Sequence, residues 1–289
     1  MRSESEMLDL ILDTARDDDR IRAVILNGSR ANPNVPRDPF QDYDIVYLVS
    51  DVAPFRHNLD WIARFGELMI LQMPEIMGNP LPKQDGSFAY LMQFTDGNRI
   101  DLSIAPLDKF TEFTKDSLTE ILLDKDGRVQ SLPPANDSDY HPQPPSARGF
   151  ADCCNEFWWV SPYVAKGLWR GEILYAKHFL DHHLREQLMI MLTWFAGMNT
   201  HFSESPGKDG KYLQQQLEPE LWEQLLHTYS DANYEHTWNA LFGTCDLFRN
   251  TALEVAKHFE FHYPHEDDQR VSAHLKHVRN LRADAQEIY

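Results

Sequence analysis

Residues 21–30, IRAVILNGSR, and residues 42–49, DYDIVYLV, decide how this chain is interpreted. Both contain short runs of apolar and β-branched residues, which are typical of buried strands. The first run ends at residues 27–29, Asn-Gly-Ser, which suit a turn at a strand end. Side chains alternate between the two faces of a strand, so Asp42 and Asp44 point the same way. The pattern predicts two carboxylates on one face of a sheet that also carries a glycine turn.

A third acid, Asp101, lies in another apolar segment, RIDLSI at residues 99–104. Alternation puts Arg99 and Asp101 on one face and the apolar residues on the core face. Paired carboxylates form a hard-oxygen site that suits Mg²⁺, which completes its octahedron with water and phosphate oxygens. A third carboxylate can bind a second metal or act as a general base. We therefore expect Asp42, Asp44 and Asp101 to be the catalytic and metal-binding residues of a phosphoryl-type transfer.

The glycine turn has its own chemistry. Gly28 allows the backbone to approach a phosphate closely, and the amides that follow can donate hydrogen bonds to it. Ser29 adds a hydroxyl, and Arg30 adds a guanidinium that suits a bidentate phosphate contact. A Gly-Ser pair or an Asp-x-Asp pair alone is usually only a turn. Their combination, in this order, is far more specific and predicts nucleotide binding.

The remainder of the first half predicts a mixed α/β unit. Apolar residues recur at helical spacing over residues 5–18, which indicates an amphipathic helix. Further strands are expected at residues 67–72, 88–94 and 99–104. The last two are joined by Asp-Gly-Asn at residues 96–98, a strong hairpin signal.

The second half is predicted to be helical. Residues 132–145 hold five prolines, which is typical of a linker. Helical spacing then recurs at residues 150–168, 173–197, 212–217, 219–228 and 234–259. The predicted fold class is α+β: a mixed β-sheet domain with flanking helices at residues 1–140, followed by an α-helical bundle at residues 141–289.

Composition limits the partners. The chain has 289 residues, 27 Lys and Arg against 45 Asp and Glu, and a formal net charge of −18. Such a surface repels nucleic acid and anionic membranes and attracts cations. The first 22 residues lack the apolar stretch of a signal peptide, and three cysteines form no disulfide framework. We expect a cytoplasmic protein with no nucleic-acid or membrane partner.

The order Gly-Ser, spacer, Asp-x-Asp and third acid resembles the DNA-polymerase-beta-like nucleotidyltransferase superfamily. Over most of the chain the resemblance is to the aminoglycoside 6-adenylyltransferases, also called streptomycin adenylyltransferases. The segments that carry it are GSRAN at 28–32, FQDYDI at 40–45, LLDKD at 122–126 and DCCNEFW at 152–158. Asn27 departs from the apolar residue usual before Gly-Ser, but a polar side chain there can line the same pocket.

The resemblance implies a function. Asp42 and Asp44 would bind the Mg²⁺ that bridges the ATP phosphates, and the turn at Gly28 and Ser29 would hold the triphosphate. Asp101 would take the proton from the attacking hydroxyl or bind a second metal that does so. The enzyme would transfer AMP from ATP to the 6-hydroxyl of streptomycin, release pyrophosphate and confer antibiotic resistance. The alternatives are another hydroxylated amine or a protein as acceptor, or a non-catalytic nucleotide-binding regulator.

A streptomycin-like aminoglycoside is cationic, and one predicted helix carries fitting groups. Asp152, Glu156 and Trp159 stand at i, i+4 and i+7, which places two carboxylates and an aromatic ring on one face. Carboxylates pair with guanidinium or ammonium groups, and an indole adds a cation–π contact. Two plain alternatives remain: Trp159 belongs to the core, or Asp152 caps the helix.

A basic partner for the triphosphate is also expected. Lys208 and Lys211 lie in the polar segment SPGKDGK at residues 205–211, and the resemblance makes one of them a candidate. A lysine flanked by glycines on a loop between helices can swing towards a phosphate. The alternative is that both lysines only contribute to solubility, and Lys166 is a weaker candidate.

Overall fold

The computed structural model describes residues 1–79, 85–128 and 132–289. They form two compact units, Met1–Asp139 and Tyr140–Tyr289. The first unit is built on a mixed sheet and the second is helical, so the predicted α+β class is confirmed. That the first unit catalyses and the second binds substrate remains a prediction.

The described residues of the first unit form six strands and three α-helices. The strands are β1 Ile21–Asn27, β2 Tyr43–Val49, β3 Leu68–Gln72, β4 Phe88–Phe94, β5 Arg99–Pro106 and β6 Thr119–Asp124. The helices are α1 Glu4–Asp17, α2 Leu59–Ile62 and α3 Phe110–Phe113. The predicted first helix and the strands β1 to β5 are confirmed, with differences of one or two residues at some ends.

The six strands form one sheet in the order β3-β4-β5-β2-β1-β6. The central pair β2 and β5 is parallel, and the other neighbours are antiparallel. In β5 the burial alternates as predicted, with Ile100, Leu102 and Ile104 in the core. Because β2 and β5 run parallel, their first residues lie at the same end of the central strands. The last residues of β1 lie at that end too, since β1 is antiparallel to β2.

The sequence does not predict the edge strand β6. Its sequence TEILLD places three apolar residues in succession, so it lacks the alternation that marks a half-buried strand. Of its residues only Thr119 is buried. Pairing with β1 therefore stabilises this strand more than its own pattern does.

The second unit contains seven α-helices among its residues, all of which are described. They are α4 Ala147–Trp169, α5 Ile173–His178, α6 Arg185–Asn199, α7 Leu213–Gln216, α8 Pro219–His227, α9 Tyr234–Phe259 and α10 His265–Asn280. The predicted helix at 173–197 is α5 and α6 joined by a π-helical segment, Phe179–Leu184. The predicted linker contains one short turn, Ser138–Tyr140, and is otherwise irregular.

The core of the second unit is apolar and aromatic. Phe157 of α4 stacks on Phe248 of α9 with ring centroids 3.7 Å apart, and Trp158 packs edge-on against the same ring. Among the described residues, no helix has the length and apolarity that a membrane span requires.

Candidate active site

Strand register brings the three predicted carboxylates together. Asp44 of β2 lies opposite Asn27 on β1 and opposite Asp101 on β5. Asp42 precedes β2 by one residue and shares the face of Asp44, because the intervening Tyr43 is buried on the other side. The sheet therefore places Asp42, Asp44 and Asp101 together at one end of its central strands, as the spacing predicts.

Asp44 is partly buried beside the other two carboxylates. Burial, reinforced by the negative charges of Asp42 and Asp101, raises the pKa of Asp44 to about 6, and the nearby Arg99 opposes this shift. Three acids crowded in this way favour binding of a cation, because a positive charge relieves both the desolvation and the repulsion.

Arg99 supplies positive charge in this structure. Its guanidinium donates to both carboxylate oxygens of Asp101, from Nε at 2.8 Å and from Nη2 at 2.7 Å. Its Nε is also 3.4 Å from Asp42 Oδ2. Sequence reasoning did not include Arg99 in the site, although strand alternation placed it on the same face as Asp101.

Two of the three carboxylates are suitable ligands for Mg²⁺. Within the described ranges, no group of three His, Cys, Asp or Glu side chains is arranged to hold one ion. Mg²⁺ usually takes one or two protein carboxylates and keeps water and phosphate oxygens for its other positions. Asp42 and Asp44 provide such a pair, whereas both oxygens of Asp101 are engaged by Arg99. A metal-binding role for Asp101 remains a prediction.

Gly28 lies directly against this cluster. It begins the 3-10 turn Gly28–Arg30 with φ of +72°, a conformation that other residues rarely adopt. A Cβ atom at this position would stand 2.2 Å from Oδ2 of Asp44. The turn therefore requires glycine twice, for its backbone conformation and for the space that Asp44 occupies. Ser29 follows it, half-buried.

Arg30 has a different environment from the one expected for a phosphate ligand. Its side chain is only 6% exposed, and its guanidinium lies 3.8 Å from the ring of Tyr43. Nε donates to the carbonyl oxygen of Asp42 at 3.1 Å, and Nη2 donates to that of Gln41 at 2.8 Å. Since these contacts occupy the side chain, Arg30 positions the backbone of Asp42 and is not arranged here to contact a phosphate.

Asn27 is tied to the edge strand. Its side-chain amide donates to the hydroxyl of Thr119 at 2.8 Å, across the pairing of β1 with β6. The polar residue before the Gly-Ser pair thus fixes β6 beside the end of β1. This contact explains how an asparagine is accommodated where an apolar residue is usual.

On α4 of the second unit, Asp152, Glu156 and Trp159 are all exposed. Trp159 is 64% exposed, so the alternative that it belongs to the core is wrong; its neighbour Trp158 is the core residue. The helix is capped by Ser146, which excludes Asp152 as its N-cap. Asp152 pairs loosely with Arg148 at 3.5 Å. The predicted face therefore exists as a surface, and its ligand remains a prediction.

Lys208 and Lys211 are exposed on a loop that borders a cleft of about 720 Å³ in the second unit, here called the α6 cleft. The loop contributes Gly207, Asp209 and Gly210 to the lining. Lys166, the weaker candidate, lies over the ring of Tyr163 at 4.7 Å. No described contact ties Lys208 to another side chain, so its ammonium group is available for a ligand.

The α6 cleft contains groups that sequence reasoning missed. Asp181, Glu186 and Asp209 contribute carboxylates to its lining, and Tyr229 contributes an aromatic ring. Arg185 is 7% exposed, stacks on Tyr229 at 3.9 Å, and its Nε has no hydrogen-bond partner among the described residues. Asp181, Arg185 and Glu186 are close in sequence, but Asp209 and Tyr229 come from later segments, so no local signal shows that they share one cleft.

The close approach of Gly28 and Asp44 generates a first prediction. Gly28→Ala should lower the affinity of the metal-free protein for Mn²⁺, a substitute for Mg²⁺, by about tenfold or more, because the new methyl group displaces Asp44. Gly127→Ala is the matched control: Gly127 also has positive φ, of +62°, but its Cβ would meet open space. The control should cost about 1 kcal/mol of stability and leave Mn²⁺ binding unchanged. Equal Mn²⁺ affinities in the two variants would contradict this account of Gly28.

The raised pKa of Asp44 generates a second prediction. An acid whose pKa is higher in the folded than in the unfolded protein destabilises the fold above both values, and the cost disappears below both. Asp44→Asn should therefore stabilise the metal-free protein at pH 7.5 by at most about 3 kcal/mol. The gain should vanish as the pH falls from about 6 to 3.8. Denaturant unfolding across this range measures it, with the exposed Asp9→Asn as control. A gain that persists at pH 3.8 would refute the electrostatic explanation.

Comparison with known proteins identifies the family. The family model for streptomycin adenylyltransferase matches residues 1–278. An aminoglycoside 6-adenylyltransferase from Campylobacter jejuni is 44% identical, with 93% of each chain covered. Another, from Bacillus subtilis, is 42% identical over 93% of this chain and 95% of that one. A crystal structure of an aminoglycoside 6-adenyltransferase from Bacillus subtilis shares 37% identity at a TM-score of 0.49, covering 97% of this chain and 100% of that one. The chain is a nucleotidyltransferase and belongs to the streptomycin adenylyltransferase family.

Proposed function

We propose that this enzyme transfers AMP from Mg-ATP to the 6-hydroxyl of streptomycin and releases pyrophosphate. The observation that carries the proposal is the alignment of Asp44 with Asp101 across the parallel strands, with Asp42 on the same face and Gly28 against them. The names of the relatives, aminoglycoside 6-adenylyltransferases, support an aminoglycoside acceptor and position 6. Modification of the antibiotic would confer resistance.

The reaction joins the acceptor oxygen to the α-phosphorus of ATP and breaks the bond from that phosphorus to the bridging oxygen of pyrophosphate. Mg²⁺, held by Asp42 and Asp44, would neutralise phosphate charge and orient the triphosphate. The Gly28 turn would let backbone amides and the Ser29 hydroxyl approach the phosphates. The protein contributes chiefly positioning and preorganised charge.

Asp101 would accept the proton of the attacking hydroxyl. Its carboxylate adjoins Asp44 in register, so it lies beside the residues that would hold the metal and the phosphates. Both of its oxygens receive hydrogen bonds from Arg99. Protonation of Asp101 would remove the negative charge that holds Arg99 in this pair.

For the acceptor we propose the α4 face formed by Asp152, Glu156 and Trp159. Its carboxylates are exposed, and its indole is accessible for stacking or a cation–π contact with a guanidinium group. The α6 cleft is the competing site, because it offers Glu186 and Asp209 in a concave setting beside an aromatic ring. We also propose that one of the two lysines on the loop beside this cleft, Lys208 or Lys211, is the basic partner of the triphosphate.

We also propose a cytoplasmic location. ATP is the donor in the proposed reaction, and all three cysteines are free and buried, as suits a reducing compartment. The alternatives from the sequence are the same chemistry on another hydroxylated amine or a protein, and a regulator that binds nucleotide without turnover.

The proposed role of Asp101 makes a third prediction. Asp101→Asn should reduce streptomycin-dependent pyrophosphate release from Mg-ATP by about 100-fold or more, because the proton acceptor is lost. Asp108→Asn, an exposed acid just beyond β5, is the control and should keep normal activity. A wild-type rate in Asp101→Asn would show that this role is wrong. Release with another hydroxylated amine, but none with streptomycin, would reject streptomycin as acceptor.

The acceptor site makes a fourth prediction. Glu156→Gln should raise the KM for streptomycin about tenfold through loss of a charge-assisted contact, and leave the KM for ATP unchanged. Glu186→Gln in the α6 cleft and the exposed Glu220→Gln on α8 should change neither constant. If Glu186→Gln raises the KM for streptomycin and Glu156→Gln does not, the acceptor binds in the α6 cleft and the α4 assignment is wrong.

A further inference from the structure

The guanidinium of Arg99 occupies the acids that the proposed reaction needs. It donates two hydrogen bonds to Asp101, at 2.8 and 2.7 Å, and approaches Asp42 Oδ2 at 3.4 Å. A metal ion bound to Asp42 and a proton transferred to Asp101 would both neutralise carboxylate charge that Arg99 now neutralises. Arg99 and a divalent cation are therefore competitors for the same negative charge.

Arg99 is free to leave these acids. Its side chain is 43% exposed, compared with 20% for Asp101, and in the described part of the chain its ion pairs are confined to Asp42 and Asp101. It cannot leave by losing its proton, because guanidinium stays charged at any physiological pH. Water or another anion must therefore take the place of the carboxylates, and only another anion keeps the guanidinium charge paired.

A polyphosphate is such an anion. Guanidinium forms bidentate hydrogen bonds with phosphate as it does with carboxylate. A nucleotide triphosphate bound beside Asp44 would bring several phosphate oxygens within the neighbourhood of Arg99. The exchange keeps every charge paired: the arginine passes to phosphate, and the carboxylates become available to the metal and to the proton.

We propose that Arg99 is a positioning residue that makes metal binding depend on the nucleotide. In the nucleotide-free protein it pairs with Asp42 and Asp101 and weakens metal binding. When nucleotide binds, Arg99 pairs with the phosphates and frees Asp101 to accept the proton. This inference rests on the proposed function, since it takes the nucleotide and the metal from that reaction.

The proposal predicts opposite changes in two binding constants. Arg99→Gln should bind Mn²⁺ in the absence of nucleotide about tenfold more tightly than the wild type, because a competing cation is removed. The same variant should bind ATP in metal-free buffer with EDTA about fivefold more weakly, because a phosphate partner is removed. Arg99→Lys, which keeps the charge but loses the bidentate fork, should fall between. Isothermal titration calorimetry measures both constants without turnover.

Arg22→Gln is the matched control. Arg22 lies on β1 of the same unit and pairs with Asp126, so its loss changes the net charge equally away from the site. It should leave both constants near wild-type values. A purely structural role for Arg99 would weaken Mn²⁺ and ATP binding together, and that result, or an unchanged Mn²⁺ affinity in Arg99→Gln, would overturn the proposal.

Failure of the proposed function gives a different result. If the wild type and Asp44→Asn bind Mn²⁺ equally, the carboxylates hold no metal, and the proposed reaction fails together with this inference. If Asp44→Asn abolishes Mn²⁺ binding while Arg99→Gln has wild-type affinities, the carboxylate site stands and only the role of Arg99 is wrong.

Discussion

The parallel pairing of β2 with β5 is the constraint on which the rest of the site depends. It sets Asp44 opposite Asp101 and leaves Asp42 on the same face. Three acids are therefore crowded together at one end of the central strands. Burial and mutual repulsion raise the pKa of Asp44 to about 6. The fold pays for this arrangement in stability and gains a site that requires positive charge. Arg99 supplies that charge in the structure, and Mg²⁺ would supply it in the proposed reaction.

Neighbouring residues hold these three acids in place. Gly28 leaves room for the Asp44 carboxylate, and Arg30 fixes the backbone of Asp42 through its carbonyl oxygen while stacking on Tyr43. Asn27 ties the end of β1 to β6. Most of these contacts join residues that are distant in sequence, because several strands end together at the site.

The sequence predicts those parts of the molecule whose signals are local. The sequence identifies β1 and β2 by their apolar, β-branched runs, and it identifies the face on which Asp101 lies by the alternation in β5. It does not predict β6, which depends on pairing with β1, nor the burial of Arg30, which depends on the fold around Tyr43. Arg99 lay on the predicted face beside Asp101, but its second partner, Asp42, emerges only when β2 and β5 are aligned. The α6 cleft is assembled from distant segments and has no sequence pattern.

The central claim is that the site formed by Asp42, Asp44 and Asp101 catalyses the transfer of AMP to streptomycin. The family and the geometry support that chemistry from independent directions, one through similarity and the other through the placement of Asp42, Asp44 and Asp101. The most direct measurement is mass spectrometry of streptomycin after incubation with the protein and Mg-ATP. The account predicts a product heavier by one adenylyl group, with fragmentation that places it at the 6-hydroxyl, and none with Asp44→Asn. Unmodified streptomycin with the wild-type protein, or equal product with Asp44→Asn, would contradict it.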